Sequence, residues 1–524
     1  MNQLIFNSMK RIYTFIFVTM AMLMLSVNSA WAQYVKLTAE DGSVSWIEIE
    51  GNINGTNIVI YKADNESAID QNTKGSIDLN EVWSRSGGRG THYQVTSIGT
   101  YAFGGCNGLT SVTIPSNVKN IWDYAFGGCS GLTSITIPSS MTGWIGGSVF
   151  SGCSGLTSIV VESGNSVYDS RENCNAIIET ASNTLIVGCK NSKIPSSVTS
   201  IGEEAFLDCS GLKSIEIPSS VTSIGNWAFV GCSDLNSVVI HSGVTNIGCE
   251  AFKDCSGLTS VVIPSSVTSI AGNVFVGCSD LTSIVVESGN SVFDSRNNCN
   301  AIIETASNTL IAGCKNTKIP SNVTDIGGRA FYGCSGLTSI EIPSSVTGIG
   351  NKAFYGCTGL ISVTSYITNV FYTGDSADGD TFFGCENATL YVPRGLASIY
   401  RSKADWDCFN NIVESIALAM SCNNKGKVMV NGGVQFTNDM GEVSVYDGTD
   451  NTFVFTPEEN CQLEQVLIDG LDVTLSVKNN QLTTKVHEGS KMIVTFSKSS
   501  GDMNGDGKVN ISDVVALVNL ILGQ

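Results

Sequence analysis

The most chemically specific residues of the chain form a short loop near its C-terminus. Side-chain oxygens recur there at loop positions one, three, five, nine and twelve, and position seven adds a backbone carbonyl: Asp502, Asn504, Asp506, Asn510 and Asp513, with Lys508 at seven. Gly507 at position six allows the sharp turn that such a loop needs. Six oxygen donors suit Ca²⁺, a hard cation, so the spacing predicts an EF-hand-like calcium loop. The apolar run from Val514 to Leu522 predicts a helix after it.

Cysteine is frequent, and ten of the 18 cysteines occupy one repeated position. They lack CxxC spacing and have no histidine beside them, so zinc binding is not indicated. A buried column of small, apolar thiols is the expectation. The ten residues are Cys106, Cys129, Cys153, Cys209, Cys232, Cys255, Cys278, Cys334, Cys357 and Cys385.

Two further pairs of cysteines flank predicted hairpins. Cys174 and Cys189 lie on either side of a turn near Ala181, and a hairpin centred there puts them directly opposite each other. Cys299 and Cys314 repeat the arrangement. Facing cysteines on neighbouring strands lie within disulfide range, and an exported chain permits oxidation. Two hairpin disulfides and four free thiols therefore both remain open.

No catalytic constellation stands out. His92, His241 and His487 lie in different regions, and none belongs to a recognisable serine, cysteine or metal motif. Acidic residues such as Glu203 and Glu216 occupy positions where other copies of the repeat carry Gly, Ser or Thr. That exchange is typical of solvated surface rather than of a general acid/base pair, and we expect no enzymatic activity.

The charge balance bears on the partners. The net charge is −19, and no basic run occurs beyond the extreme N-terminus. Phosphate binding needs clustered Lys and Arg, so nucleic acid is not expected as a partner.

The first residues have the pattern of an export signal. Lys10 and Arg11 form a positive region, an apolar core runs from Ile12 to Val27, and Ala30 and Ala32 place small residues at a cleavage site. The alternative is a transmembrane anchor, which the short apolar core disfavours. Cleavage predicts a mature chain that begins at Gln33, has no membrane span and lies outside the cell or on its surface.

Internal repetition organises most of the chain. A pattern that opens with isoleucine recurs, mostly in steps of 23 residues, at Ile98, Ile121, Ile145, Ile201, Ile224, Ile247, Ile270, Ile326 and Ile349. A degenerate copy carries Phe383 and Cys385. Two steps are 56 residues long, and their extra segments, starting at Glu162 and Glu287, are nearly identical. Such periodicity predicts a solenoid, in which stacked units share their apolar faces.

Each unit contains the elements of one coil. Leu212, Ile215 and Ile217 alternate as a short strand, after which Pro218 turns the chain. A second short extended piece ends at Ile224, and the spacing from Ala228 to Cys232 fits one helical turn. Repeated Ser and Thr positions, among them Thr157, Ser158, Thr259, Ser260, Thr338 and Ser339, would then line one face.

The repeat, Ile-Gly-x-x-Ala-Phe-x-x-Cys-x-x-Leu-x-x-Ile-x-Ile-Pro, resembles the BspA-type leucine-rich repeat of bacterial and protist surface proteins. The resemblance covers roughly Val95 to Val413, and Tyr391, Tyr400 and Trp406 fall in a segment that looks like the closing cap of such arrays. It implies surface display, adhesion and protein binding. The predicted fold is thus a mainly-β solenoid with short helical turns.

Two modules follow the repeats. Short alternating runs such as Phe453–Phe455 and Met492–Phe496 predict a small all-β domain, which resembles the bacterial-repeat domains of internalin-type surface proteins. The calcium loop and helix resemble half of a type I dockerin, which implies a cohesin-like partner; a surface of the same chain is the alternative partner for the helix. The predicted order is a signal peptide (1–32), an N-terminal β-rich cap (33–95), a leucine-rich-repeat solenoid with cap (96–413), a small β-sandwich-like domain (414–498) and the dockerin-like module (499–524).

These features predict a secreted or cell-surface, non-enzymatic binding protein, adhesin-like, which recognises host protein or glycan through the solenoid. The alternative is a non-catalytic component of a polysaccharide-degrading assembly, tethered through its dockerin-like C-terminus.

Overall fold

The structure is a computed structural model that describes residues 33–38, 44–50, 57–60, 69, 71–80, 82–84, 92–371, 373, 380–423, 425–432, 434–437, 440–459 and 461–498. The chain divides into two compact units. Unit 1 comprises residues 1–193 and 205–209, and unit 2 comprises 194–204 and 210–524.

Unit 1 begins with five strands that close into a ring. In chain order they are β1 (Gln33–Thr38), β2 (Val44–Glu50), β3 (Asn57–Ile60), β5 (Val82–Ser84) and β6 (His92–Ile98). The sheet order is β3-β2-β1-β5-β6, and a further parallel pairing of β3 with β6 joins its ends. The remaining strand of this region, β4 (Lys74–Asp78), pairs in parallel with β7 (Gly108–Thr113). The ladder of coils therefore starts before the first recognisable repeat.

The rest of unit 1 consists of coils and one inserted hairpin. The long strands of the coils continue with β9 (Ser134–Ile137) and β10 (Ser158–Val161), and the short strand β8 (Asn120–Ile121) pairs with the end of β6. The insert holds β11 (Tyr168–Asp169), a 3-10 turn at Arg171–Asn173, β12 (Ile177–Glu179) and β13 (Thr184–Val187). These three strands form antiparallel pairs.

Unit 2 repeats the coil in two parallel ladders. The short strands are β14 (Ser200–Ile201), β16 (Ser223–Ile224), β18 (Asn246–Ile247), β20 (Ser269–Ile270), β25 (Asp325–Ile326) and β27 (Gly348–Ile349). The long strands are β15 (Ser214–Ile217), β17 (Ser237–Ile240), β19 (Ser260–Ile263), β21 (Ser283–Val286), β26 (Ser339–Ile342), β28 (Ser362–Ser365) and β29 (Thr389–Val392). The second insert consists of β22 (Phe293–Asp294), a 3-10 turn at Arg296–Asn298, β23 (Ala301–Glu304) and β24 (Thr309–Gly313).

The interior of the coils follows the alternation in the sequence. Ile215 and Ile217 of β15 point inward and are buried, whereas the residues beside them are exposed. In β17, Val238 and Ile240 take the same places. The expected solenoid core is confirmed.

The helical turn predicted for each repeat is instead a succession of hydrogen-bonded turns. Ala228, Phe229 and Cys232 are buried as expected. However, Trp227 has a φ of 55°, in the left-handed region, so a right-handed helix cannot run through it. Among the described residues, the α-helix α1 (Ala397–Arg401) belongs to the closing segment and not to the repeats.

The degenerate copy needs a correction. Phe382, not Phe383, takes the buried phenylalanine position, with its ring 5.1 Å from that of Phe354. Phe383 is 51% exposed. Beyond them, Tyr400 and Trp406 of the predicted cap are fully buried, and Trp406 begins a 3-10 turn at Trp406–Cys408.

The C-terminal domain is a sandwich of two sheets, and its first strand is shared with the solenoid. It contains β30 (Asn411–Cys422), β31 (Gly426–Val430), β32 (Val434–Phe436), β33 (Gly441–Tyr446), β34 (Asp450–Pro457), β35 (Cys461–Ile468), β36 (Leu471–Asp472), a 3-10 turn at Thr474–Ser476, β37 (Gln481–Lys485) and β38 (Lys491–Lys498). Strand β30 pairs with β29 over residues 411–414 and with β33 over 415–420. The sheet β32-β31-β34-β37 forms the second layer, and Leu418 and Phe453 belong to the core that the two sheets share.

Candidate binding surface

The outward side chains of the long strands form columns along the coils. Parallel register places equivalent residues side by side, so Glu216 of β15 lies next to Val239 of β17. The Ser and Thr positions predicted to line a face do so: Thr259, Ser260, Thr338 and Ser339 are exposed. Thr157 and Ser158 are half-buried.

The threonine hydroxyls of these columns are used within the ladder. Thr157 Oγ1 donates to the carbonyl of Thr133 at 3.0 Å, and Thr282 Oγ1 donates to the carbonyl of Thr259 at 2.9 Å. The short strands are preceded by a similar column, in which Thr245 Oγ1 donates to the Thr222 carbonyl at 3.1 Å. Since these hydroxyl donors are already engaged, they are not available as hydrogen-bond donors to a ligand.

A row of exposed valines was not anticipated from the sequence. Val239, Val262 and Val285 are 46%, 46% and 43% exposed on three successive long strands. At the end of the row Glu216 Oε1 lies 2.9 Å from His241 Nε2. The sequence does contain a signal for this row: the pair Val-Val or Ile-Val recurs at a position where another copy has Ile-Glu. The second residue of each pair points outward, so an apolar residue there is exposed.

Among the described side chains of unit 1, tryptophan is exposed at two positions. Trp122 is 46% exposed and Trp144 is 55% exposed. Nearby, the rings of Tyr101 and Tyr124 stack with centroids 5.0 Å apart.

The six predicted calcium ligands, Asp502, Asn504, Asp506, Lys508, Asn510 and Asp513, lie outside the described residues. Within the described ranges, no group of three or more His, Cys, Asp or Glu side chains is placed to hold a metal ion.

The four hairpin cysteines are free thiols in the structure. Cys174 is not directly opposite Cys189, because a bulge between Ile177 and Ile178 shifts the register by one residue. Cys189 Sγ instead donates to the Asn175 carbonyl at 3.3 Å. A shift of one residue turns a side chain to the other face of a strand, which separates the two thiols.

The second hairpin repeats this geometry. A bulge lies between Ile302 and Ile303, and Cys314 Sγ donates to the Asn300 carbonyl at 3.3 Å. Burial raises the pKa of Cys174 and of Cys299 to about 11, and it also raises the pKa of Cys314. These thiols are therefore protonated at neutral pH and are poor nucleophiles.

The repeated cysteines form buried columns. Cys255 Sγ donates to the carbonyl of Phe229 at 3.2 Å, and Cys278 Sγ donates to that of Phe252 at 3.1 Å. Burial raises the pKa of both thiols well above the ordinary value. Their role in the structure is packing.

Two histidines have acidic partners at the surface. His241 pairs with Glu216 as described, and His487 Nδ1 lies 3.3 Å from Asp447 Oδ1. The side chain of His92 lies outside the described residues.

Comparison with known proteins identifies the repeats. The model of the BspA type leucine rich repeat region matches residues 91–186, 186–303 and 308–404, more than half of the chain. The chain belongs to the BspA-type leucine-rich repeat family. None of the curated proteins matches it in sequence. No described helix of this BspA-type protein is long and apolar enough to span a membrane.

Several solved structures resemble this BspA-type chain in part. A leucine-rich cell surface protein from Faecalibacterium prausnitzii is 21% identical, with a TM-score of 0.39, over 74% of this chain and 96% of that one. A leucine-rich repeat protein from Bacteroides ovatus is 22% identical, with a TM-score of 0.32, over 74% and 100%. The pneumococcal vaccine antigen PcpA is 16% identical, with a TM-score of 0.28, over 72% and 98%.

Proposed function

We propose that this protein is a secreted or cell-surface, non-enzymatic binding protein, adhesin-like, which recognises host protein or glycan with the outward faces of its coils. The observation that carries the proposal is the set of in-register columns of exposed side chains, held by parallel ladders. Rigid elements present side chains to a partner at a low cost in conformational entropy. Membership in the BspA-type family and the export-type N-terminus support the same function.

A binding array tests this proposal. The probes are neutral glycans and the matrix proteins fibronectin and collagen, offered to the chain 33–524 and to a truncation that ends at Lys498, each with and without Ca²⁺. We expect both forms to bind the same probe, because the coils remain. Binding that needs residues 499–524 and Ca²⁺ would instead favour attachment to an assembly through the tail. Turnover of a glycoside or peptide substrate would contradict the non-enzymatic assignment.

We also propose that the loop from Asp502 to Asp513 binds Ca²⁺. The support is its set of oxygen donors at loop positions one, three, five, seven, nine and twelve. Titration calorimetry should show that Asp513→Ala weakens Ca²⁺ binding at least tenfold, because it removes the ligand at position twelve. Ser512→Ala, at a position outside the predicted ligand set, is the matched control. An unchanged affinity in Asp513→Ala would rule out this assignment.

A further inference from the structure

The outward face of the short-strand ladder in unit 1 differs from the equivalent faces of the other repeats. The residue after the opening isoleucine is glycine in seven of the nine repeat copies and Ala271 in another, but it is Trp122 here. The residue before the isoleucine is small or polar elsewhere, whereas Trp144 stands there in the next copy. The fold of the repeat therefore does not require either indole.

The register places the two tryptophans on adjacent coils and on the same face. Ile121 forms an isolated bridge with Ile145, so Asn120 lies beside Trp144 and Trp122 beside Gly146. Since Ile121 and Ile145 point inward, the residues on either side of them point outward. Strand geometry puts the two tryptophan Cα atoms about 8 Å apart on the diagonal.

Both rings are accessible. Trp122 is 46% exposed and Trp144 is 55% exposed. The neighbours of Trp122 in register are Gly99 and Gly146, which bring no side chains to lie beside the indole. Exposed tryptophans that the core does not need are typical of interaction sites, since Trp is enriched among the residues that dominate binding energy.

The polar groups of this face that remain available to a ligand are uncharged hydrogen-bond donors. Trp122 Nε1 donates to Ser97 Oγ at 3.1 Å, and Asn120 Oδ1 accepts from the backbone N–H of Trp144 at 2.8 Å. In the part of the chain that the structure describes, Trp144 Nε1 and Asn120 Nδ2 have no hydrogen-bond partner. Two donors beside two indole rings match a sugar, whose ring C–H groups pack on an aromatic face while its hydroxyls accept hydrogen bonds.

The charges around the face select against acidic ligands. The six residues of the face, Ser97, Gly99, Asn120, Trp122, Trp144 and Gly146, have no ionisable side chain, and Asp123 follows Trp122 directly. Lys119, which precedes Asn120 in the chain, donates its Nζ to the Ser140 carbonyl at 2.7 Å. A sulfated or uronic-acid polymer would bring negative charge toward Asp123, and none of the six residues of the face carries a positive charge to offset it.

We infer that Trp122 and Trp144 form a binding site for a neutral glycan. This inference rests on the proposed binding function and specifies its site and its class of ligand.

The test reverts both positions to the residues of the other repeats. Trp122→Gly and Trp144→Ser are combined in the full mature chain, and Trp227→Asn is the matched control, because it removes an exposed tryptophan from another coil. Asn tolerates the left-handed backbone at Trp227. Each variant should keep the circular dichroism spectrum and thermal midpoint of the parent. The probes are mixed-linkage β-glucan, galactomannan and arabinoxylan, with polygalacturonic acid as an acidic comparison and fibronectin and collagen as proteins.

We expect the parent to bind at least one neutral polysaccharide in affinity electrophoresis, with the double variant at least tenfold weaker and Trp227→Asn unchanged. A parent that binds a probe with undiminished affinity in the double variant would overturn the inference and leave the proposed function standing. Loss of fibronectin or collagen binding alone, or tighter binding of polygalacturonic acid, would overturn the choice of ligand. A parent that binds none of the probes would count against both proposals.

Discussion

At the scale of single residues, the coil depends on close approaches that leave no room for a side chain. A Cβ at Gly313 would lie 2.2 Å from Cε1 of Phe331, and one at Gly188 would lie 2.1 Å from Cε1 of Phe206. Gly313 is the last residue of β24, and Gly188 directly follows β13. Each of these strands is the last strand of an inserted hairpin. The phenylalanine of the next copy therefore fills the space above each glycine.

The substitution Gly313→Ala should destabilise the protein by about 2–3 kcal/mol, because overpacking against a buried ring forces the backbone to shift. Urea unfolding followed by circular dichroism measures the change. Gly289→Ala is the control: its Cβ would meet nothing within 4 Å, so only its positive φ of 90° opposes the new side chain. Equal stability losses for the two variants would contradict the close-packing argument.

The buried thiols predict a dependence of stability on pH. Burial raises the pKa of Cys174 to about 11 and of Cys334 to about 12, from an ordinary value of 9.0. Below pH 9 the thiols are protonated in both states, and their contribution to stability is fully present. Above pH 9 they ionise in the unfolded state first, so the free energy of unfolding should fall between about pH 9 and pH 12. Urea midpoints at pH 7, 9 and 10.5 measure this, and a midpoint that rises with pH would be inconsistent with it.

Thiol counting separates the two states of the hairpin cysteines. The free-thiol geometry predicts that denatured, unreduced protein titrates with all 18 cysteines. A count of fourteen, four fewer, would show that both hairpin disulfides form in solution. In that case, replacing Cys174 and Cys299 with alanine would release Cys189 and Cys314 as free thiols. The thiol count would rise only by these two residues.

At the scale of the elements, aromatic columns connect successive coils. The rings of Phe229 and Phe252 stack with centroids 5.1 Å apart and planes within 1°, and the ring of Phe275 lies 5.8 Å from that of Phe252. Phe252 thus contacts its equivalents on both sides. The core of one coil is completed by its neighbours, as expected for a solenoid.

Removal of the middle ring should be costly. Phe252→Ala is expected to lower the free energy of unfolding by about 3–5 kcal/mol, because it leaves a cavity between two rings. Phe252→Leu, which keeps most of the volume, should cost less. Exposed Phe383 provides a matched control, since Phe383→Ala removes a ring that is already half in water. A stability loss in Phe383→Ala as large as that in Phe252→Ala would contradict the contribution of the aromatic column to stability.

At the scale of the whole molecule, the solenoid in unit 2 passes into the C-terminal domain without a linker. Strand β30 pairs with the last coil and with the sandwich, and the rings of Tyr391 and Tyr446 lie 4.4 Å apart across the boundary. Glu414 accepts the backbone N–H groups of Gly395 and Ala397, and Arg394 forms an ion pair with Glu488. The predicted boundary at residue 414 therefore falls inside a strand.

Hydrogen exchange tests this continuity. Amides of residues 411–422 should be protected as strongly as those of β28 and β29, because all belong to one hydrogen-bonded sheet. The amide of Leu475, a residue that is fully exposed, serves as the fast-exchanging reference. Exchange of 411–422 at the rate of that reference would mean that the two parts are joined by a loose segment.

The sequence by itself determined the repeat, its period, the inward isoleucines and the buried Phe and Cys columns. This was possible because a solenoid contact is between equivalent positions of successive copies, so periodicity in the chain becomes adjacency in space. It also indicated the class of family, which the comparisons confirmed.

Only the tertiary structure decided which outward residues share a face and what occupies their hydrogen-bonding groups. The sequence predicts that Ser and Thr positions line one face, and the structure shows that carbonyl groups of the neighbouring coil accept the threonine hydroxyls. Trp122 and Trp144 are 22 residues apart in the chain and lie on one face because of the bridge at Ile121. The bulge that separates Cys174 from Cys189 and the strand that crosses residue 414 are likewise register effects. Register depends on pairing energies summed over both strands, and no local sequence pattern contains that sum.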